Sequence, residues 1–255
     1  MQDWKSHIDL AHPCWDGYRV VIRRLAGEVF PGPEALNRIL PQGQARTGGN
    51  PVRFRAASEL PGIANEKHIH ETGEISTRVE NWHDLFNALV WSRFPCFKSA
   101  MNEVHYRHLH EEKNGRRGSQ RDALTLLDES GVIVTGPDRR LLEALSGRNW
   151  QEAFVQRRDA WSGTAVIVCG HAILEKFLQP YKALTAHALL IPVDDPLCVA
   201  DLDGRLATRL LEGGLLDSTR DLSPLPLMGI PGWWHGVQDE AFYADRDVFR
   251  PPRPD

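Results

Sequence analysis

The chain has 255 residues, with 30 Lys and Arg against 34 Asp and Glu and a formal net charge of −4. A hydrophobic share of 42% and a charged share of 25% exclude a disordered chain. Four Cys are too few for a disulfide scaffold, and the mild acidity argues against a nucleic-acid partner held by bulk charge.

The apolar stretches fall short of the roughly 18 residues of a membrane span, so no membrane partner is expected. Met1 to His7 has no apolar run, and no secretory signal is expected there. Cys14, Cys96, Cys169 and Cys198 form no CxxC pair and read as thiols of a reducing compartment, which predicts a cytoplasmic protein. The Arg pairs at 23–24, 116–117, 139–140 and 157–158 sit near acidic residues and read as solvated surface.

Residues 1–50 are expected to form a helical or irregular arm, and 51–255 one domain. Within the arm, Pro31-Gly32-Pro33 and Pro41 bracket a short helix over 34–40. Val52 to Ala56 alternates with the period of a strand. Lys67 to Arg78 reads as a hairpin turning at Gly73, with His68 and His70 exposed on one strand face. Asn81 is a good N-cap for a helix carrying Trp82, Leu85, Phe86, Leu89, Val90 and Phe94, ended by Pro95. A second helix is predicted from Phe97 to about Glu111, then a basic loop over 113–121.

Asp122 to Thr135 reads as another hairpin, its strands joined by Asp128-Glu129-Ser130-Gly131. Asp138 starts a helix, and Trp150, Phe154 and Trp161 are expected on one helical face. Buried strands are predicted over 165–169 and 188–193, and helices over 171–178 and 198–211. The tail from Asp217 is expected to wrap the surface. Helices and short strands interleave without regular βα alternation. The predicted fold is therefore α+β, a helical layer on a small, mostly antiparallel sheet.

Three segments place ionisable groups beside apolar runs, where burial is costly without a partner or a task. His83 and Asn87 lie four apart and share a helix face. His105 abuts the apolar residues Met101 and Val104, with His108 three residues on. His171 and Glu175 are an i, i+4 pair directly after a buried strand. Imidazole and carboxylate at such spacing can hold a transition metal or exchange protons. Each pattern equally suits capping, core hydrogen bonding or a solvated helix. Asp122 and Asp128 are further acidic candidates, since their equal parity would put both on one face of an unbroken strand, although Asp128-Glu129 also has plain turn composition. Arg78 and Arg121 are candidates to orient an anionic group. In Gly229-Ile230-Pro231-Gly232-Trp233-Trp234, one of Trp233 and Trp234 could pack in the core while the other walls a pocket. No G-x-S-x-G elbow, P-loop, dinucleotide fingerprint or HExxH is present.

The same words carry a resemblance. Thr77-Arg78 leading to NWHDLFNALVW (81–91), Phe94-Pro95 with Lys98 and Asn102 to His105, RDALTLLDESG (121–131), GHAILEKFLQPY (170–181) and GIPGWW (229–234) resemble a bacterial family, domain of unknown function 3025. Phe242-Tyr243 and Val248 to Arg250 look similar too, so the likeness spans about 50–250. Asn65 and His68 depart from the family's pattern, where Tyr and Arg would stand. The resemblance implies a soluble bacterial protein and assigns no activity.

These readings predict a hydrolase-type enzyme acting on a small anionic substrate, with a divalent transition metal as candidate cofactor. His83, His105 and His171 would be metal ligands, with Asp122, Glu175, Arg121 and Arg78 catalytic and Asn87, Trp233 and Trp234 along the wall. A noncatalytic scaffold with a buried polar network is the alternative. Oligomeric state is left open.

Overall fold

A four-stranded sheet organises the chain, which is seen here in a computed structural model. The structure describes residues 3–25, 27, 29–43, 45–60, 66–111, 118–194 and 199–252, with backbone alone at 110–111 and 199–200. Asn65, Cys198 and most of the basic loop, over 113–117, lie outside the described residues.

Two 3-10 turns, Trp4–His7 and Pro13–Trp15, lead into α1 (Arg19–Arg24) and α2 (Pro33–Ile39). Trp15 and Tyr18 are fully buried; Trp15 packs 5.6 Å from Phe86, and the Tyr18 hydroxyl donates to the Val168 carbonyl at 2.5 Å. Short strands β1 (Arg46–Thr47) and β2 (Asn50–Pro51) pair antiparallel. β3 (Arg53–Ala56) then pairs in parallel with β4 (Glu74–Thr77) across α3 (Glu66–Thr72).

The hairpin expected over 67–78 is therefore a helix followed by a strand. Its first half has one apolar residue, Ile69, too few for an alternating strand face. Gly73, at φ 75°, ends the helix and donates to the Ile69 carbonyl at 2.8 Å. His70 lies on this helix and stacks on Tyr106 at 3.8 Å rather than standing on an edge strand.

α4 (Trp82–Arg93) begins where expected, with the Asn81 side chain accepting from the Asp84 N–H at 3.0 Å. α5 (Pro95–Glu111) follows at once, because Pro95 suits a first helical turn as well as it stops the preceding one. The buried Asp203 carboxylate takes the Cys96 and Phe97 N–H groups of that turn at 3.0 and 2.8 Å.

α6 (Ser119–Ser130) replaces the first strand of the second expected hairpin. Ala123, Leu124 and Leu127 are its buried residues, spaced i, i+1 and i+4. Ala, Leu, Glu and Asp also lack the branching that favours strands. β5 (Gly131–Gly136), buried throughout, follows directly, then α7 (Arg139–Ser146) capped by Asp138. A π-helical turn (Glu152–Gln156) and a 3-10 segment (Arg158–Gly163) break the helix expected near Trp150, yet Phe154 still stacks 5.8 Å from Trp150 and 5.5 Å from Trp161.

β6 (Ala165–Val168), α8 (His171–Lys176), β7 (Thr185–Pro192) and α9 (Val199–Glu212) match the reading in kind. The tail does not simply wrap the surface. It supplies β8 (Ser223–Pro226), and Leu227 and Met228 are fully buried. After α10 (Glu240–Tyr243), Phe249 and Tyr243 close on Phe154 at 5.7 and 5.3 Å.

The sheet order is β6-β5-β7-β8, with β5 and β7 parallel and both outer pairs antiparallel. The fold is α+β. No helix among the described residues is long and apolar enough to cross a membrane.

Gly170 sets how α8 leaves the sheet. A Cβ there would lie 2.3 Å from the Gly131 nitrogen and 2.7 Å from the Glu129 carbonyl oxygen. These are backbone atoms, which cannot swing away as a side chain would. Gly170→Ala is expected to lower stability by about 2 kcal/mol or more. Urea unfolding monitored by tryptophan fluorescence measures this; an unchanged midpoint would count against a close backbone junction.

Candidate metal centre

The Gly170–Gly131 junction brings the C-terminal end of α6 against the first turn of α8. α4 packs against α8. Three side chains meet there: His83 from the first turn of α4, Glu129 from the last turn of α6 and His171 from the start of α8. Nε2 of His83 and Nε2 of His171 are 2.9 Å apart, and Nε2 of His171 lies 3.6 Å from Glu129 Oε2. The rings meet edge to face, with centroids 4.3 Å apart.

Both outer nitrogens face carboxylates. His83 Nδ1 is 3.4 Å from Glu175 Oε2, and His171 Nδ1 is 3.9 Å from Asp128 Oδ1. A neutral imidazole carries one N–H, and a facing carboxylate favours it on Nδ1. The Nε2–Nε2 contact is within hydrogen-bond range, beside a third acidic group, and His171 Nδ1 is buried without a hydrogen-bond partner.

Beneath them lies a buried ion pair. Lys98, from α5, donates to Asp128 Oδ1 at 2.5 Å and to Asn87 Oδ1 at 3.1 Å. Burial alone would raise the Asp128 pKa; the Lys98 charge, helped by His171, outweighs it and holds the carboxyl below its ordinary value. The His171 imidazole is pushed down to about 4, chiefly by burial. Glu129 is raised, first by burial and then by the neighbouring carboxylates Asp128 and Glu175, with His83 opposing. Exposure grows from His171, with a 6% exposed side chain, to His83 at 34% and Glu129 at 43%. One wall of the group is therefore buried and the other is open to solvent.

The remaining expected residues divide. Asn87 joins the group through Lys98. Arg78 is held by Asp84, with Nη2–Oδ1 at 2.7 Å and Nε–Oδ2 at 3.0 Å, so its guanidinium is engaged in tying the chain to the start of α4. The Asp84 carboxylate also accepts from the Arg78 N–H at 2.7 Å. His105 is buried on α5, and its nitrogens are not among those that converge.

Arg121 and Asp122 occupy the first turn of α6, and Asp122 is about 10 Å along the helix from Glu129. The strand face expected to carry both Asp122 and Asp128 does not exist. Trp233 packs 5.7 Å from Phe177 and 5.5 Å from His12, and Trp234 lies 6.3 Å from Phe242. Trp233 does wall a cavity, but a different one. Glu129 and Lys98 were not expected in the site, and Asp128 was expected only through the strand face shared with Asp122. The Asp-Glu pair looked like a turn because the segment before it was read as a strand. Read as a helix, its spacing would have placed both acids in the last turn, just before a buried strand.

A family model described as Protein of unknown function (DUF3025) matches residues 52–253. The chain belongs to this family. Comparisons with curated proteins and with solved structures find no match.

Two outcomes follow from the electrostatics. In metal-free protein between pH 6.5 and about 4, the unfolded chain holds a proton that folded His171 does not. Stability therefore rises with pH across that window and falls on acidification, by on the order of 2–3 kcal/mol from this group. Urea midpoints at pH 7 and pH 4.5, in chelator, should show the fall, and His171→Gln should flatten it. Lys98→Met strands the Asp128 carboxylate in the core. It should cost about 3–5 kcal/mol, read by the same unfolding curves; a loss under about 1 kcal/mol would show the pair to be dispensable.

Proposed function

We propose that His83, His171 and Glu129 hold a divalent transition-metal ion in a hydrolase-type centre. The observation that carries this reading is the 2.9 Å contact between two Nε2 atoms whose Nδ1 atoms both face carboxylates. Two nitrogens so placed are satisfied either by a shared N–H, which makes the contact a hydrogen bond, or by a cation bound in place of that proton. The donors sit 2.9 and 3.6 Å apart, on either side of the about 3.3 Å edge expected of a tetrahedral zinc site. Two imidazoles and one carboxylate suit zinc and leave a fourth position for water or substrate.

The surroundings support the same reading. Asp128 and Glu175 stand where outer carboxylates orient ligating histidines. Lys98 keeps Asp128 ionised. An ion there would act as a Lewis acid and lower the pKa of water. Glu175, with a 44% exposed side chain, is also the carboxylate at the open side, where its second oxygen would meet incoming water. Cavities of about 350 and 780 Å³ elsewhere in the molecule are lined by other residues, so substrate would approach this centre from solvent.

The test is titration of chelator-treated protein with Zn²⁺ or Co²⁺, read by calorimetry and by the visible spectrum of bound Co²⁺. One ion per chain with tetrahedral cobalt bands is expected. His83→Ala, His171→Ala and Glu129→Gln should each weaken binding at least tenfold, and Asp122→Asn should not. Absence of stoichiometric binding, or binding untouched by His83→Ala, would remove the metal centre and leave a hydrogen-bonded scaffold.

A further inference from the structure

Arg93 is a half-buried cation with no carboxylate against it. It leaves the last turn of α4 and donates from Nη1 to the Gly17 carbonyl at 2.6 Å. Its Nε is buried and unpartnered, and no ion pair among the described residues includes it. The nearest acid, Asp16, is paired with Arg19 at 2.6 Å. The guanidinium otherwise meets ring faces, Tyr18 at 5.5 Å and Phe94 at 5.7 Å. Gly17 makes room for it. A Cβ there would fall 2.2 Å from Arg93 Cζ and 2.6 Å from Nε, so the close approach requires glycine.

Arg93 borders a cavity of about 350 Å³ with Tyr18, Trp161, Val166, Ile230 and Trp233. The cavity runs along β6, the outermost strand of the sheet. The Cys169 N–H bonds the Gly131 carbonyl at 3.1 Å, which fixes the alternation of the ladder. Val166 and Val168 therefore turn their backbone groups away from β5. Tyr18 takes the Val168 carbonyl, leaving the Val166 N–H on the open edge. One guanidinium, the strand-edge N–H and C=O of Val166 and largely apolar walls thus face the same space, with the Asp16 carboxylate, neutralised by Arg19, also on the lining.

We infer that this cavity is a second binding site, for a small carboxylate with an apolar body, whose anionic group sits on Arg93. A half-buried guanidinium whose buried Nε has no partner, answered by one carbonyl and two ring faces, is undercompensated, and an anion would complete it. The planar guanidinium matches a carboxylate, and the volume lies at the small end for ligand pockets. Arg93 is ten residues, about 15 Å, along α4 from His83, so the site is separate from the metal centre.

Benzoate is the probe, with neutral benzamide as its isostere and inorganic phosphate as the competing anion. Binding is read by calorimetry and by tryptophan fluorescence, since Trp161 and Trp233 line the cavity. The full chain is used in chelator, so that no carboxylate can ligate a metal. Saturable benzoate binding is expected, with benzamide and phosphate each weaker by about tenfold or more, the scale of one charge-assisted hydrogen bond. Arg93→Met should weaken benzoate to the level of benzamide, and Arg93→Lys should keep part of the difference. Equal affinity for benzoate and benzamide, tighter binding of phosphate, no saturable benzoate binding, or benzoate binding unchanged in Arg93→Met would each overturn the proposal. The benzoate–benzamide comparison in the unaltered chain decides it even where Arg93→Met fails to fold.

Discussion

The Lys98–Asp128 ion pair is the constraint on which the centre of this structure depends. It lies between α5 and α6, with the Lys98 side chain 8% exposed. Such a pair gains little net stability, because desolvation offsets most of the attraction. Its consequence is positional. Asp128 must face Lys98, so the last turn of α6 is held in one rotation, and that turn presents Glu129 beside His171. Asn87 takes a second Lys98 donor and ties α4 into the same arrangement. Three helices are thereby indexed to one another by charge as well as by packing.

Backbone proximity at Gly170 and Gly131 supplies the other half of the geometry. α6 passes into β5 without a loop, and both the Cys169 and Gly170 N–H groups bond the Gly131 carbonyl. His171 is therefore the first residue of α8 at the point where β5, β6 and α6 converge. Its low pKa follows from that depth, and His83 is brought over it by the contact of α4 with α8. The result is a group with a rigid buried wall and an exposed rim, the combination expected where an ion or substrate must enter from solvent while its ligands stay fixed.

Much of the local structure was legible in the sequence. The Asn81 cap, the Asp138 cap, the Pro33 start and the apolar runs of β5, β6 and β7 all have strong local causes. The hairpins failed for a physical reason as well. A short stretch such as Ala123 to Leu127 fits either period over five residues, and its length could not arbitrate. That single misreading removed Glu129 from the expected site and placed Asp122 within it. His83 and His171 were legible because each stood at a helix start beside an apolar run, and Glu175 because it lies one turn on from His171.

Sequence alone therefore determined the composition class, the α+β character, most helix starts and two of the three converging donors. Tertiary structure decided which ionisable groups meet. Lys98 and Asp128 are 30 residues apart, His83 and His171 are 88 apart, and Gly17 and Arg93 are 76 apart. No local propensity encodes such distances, because they depend on how helices cross and on where two glycines let backbones touch. The eleven His and the mild net charge carried no such information, since composition is blind to which side chains share a space.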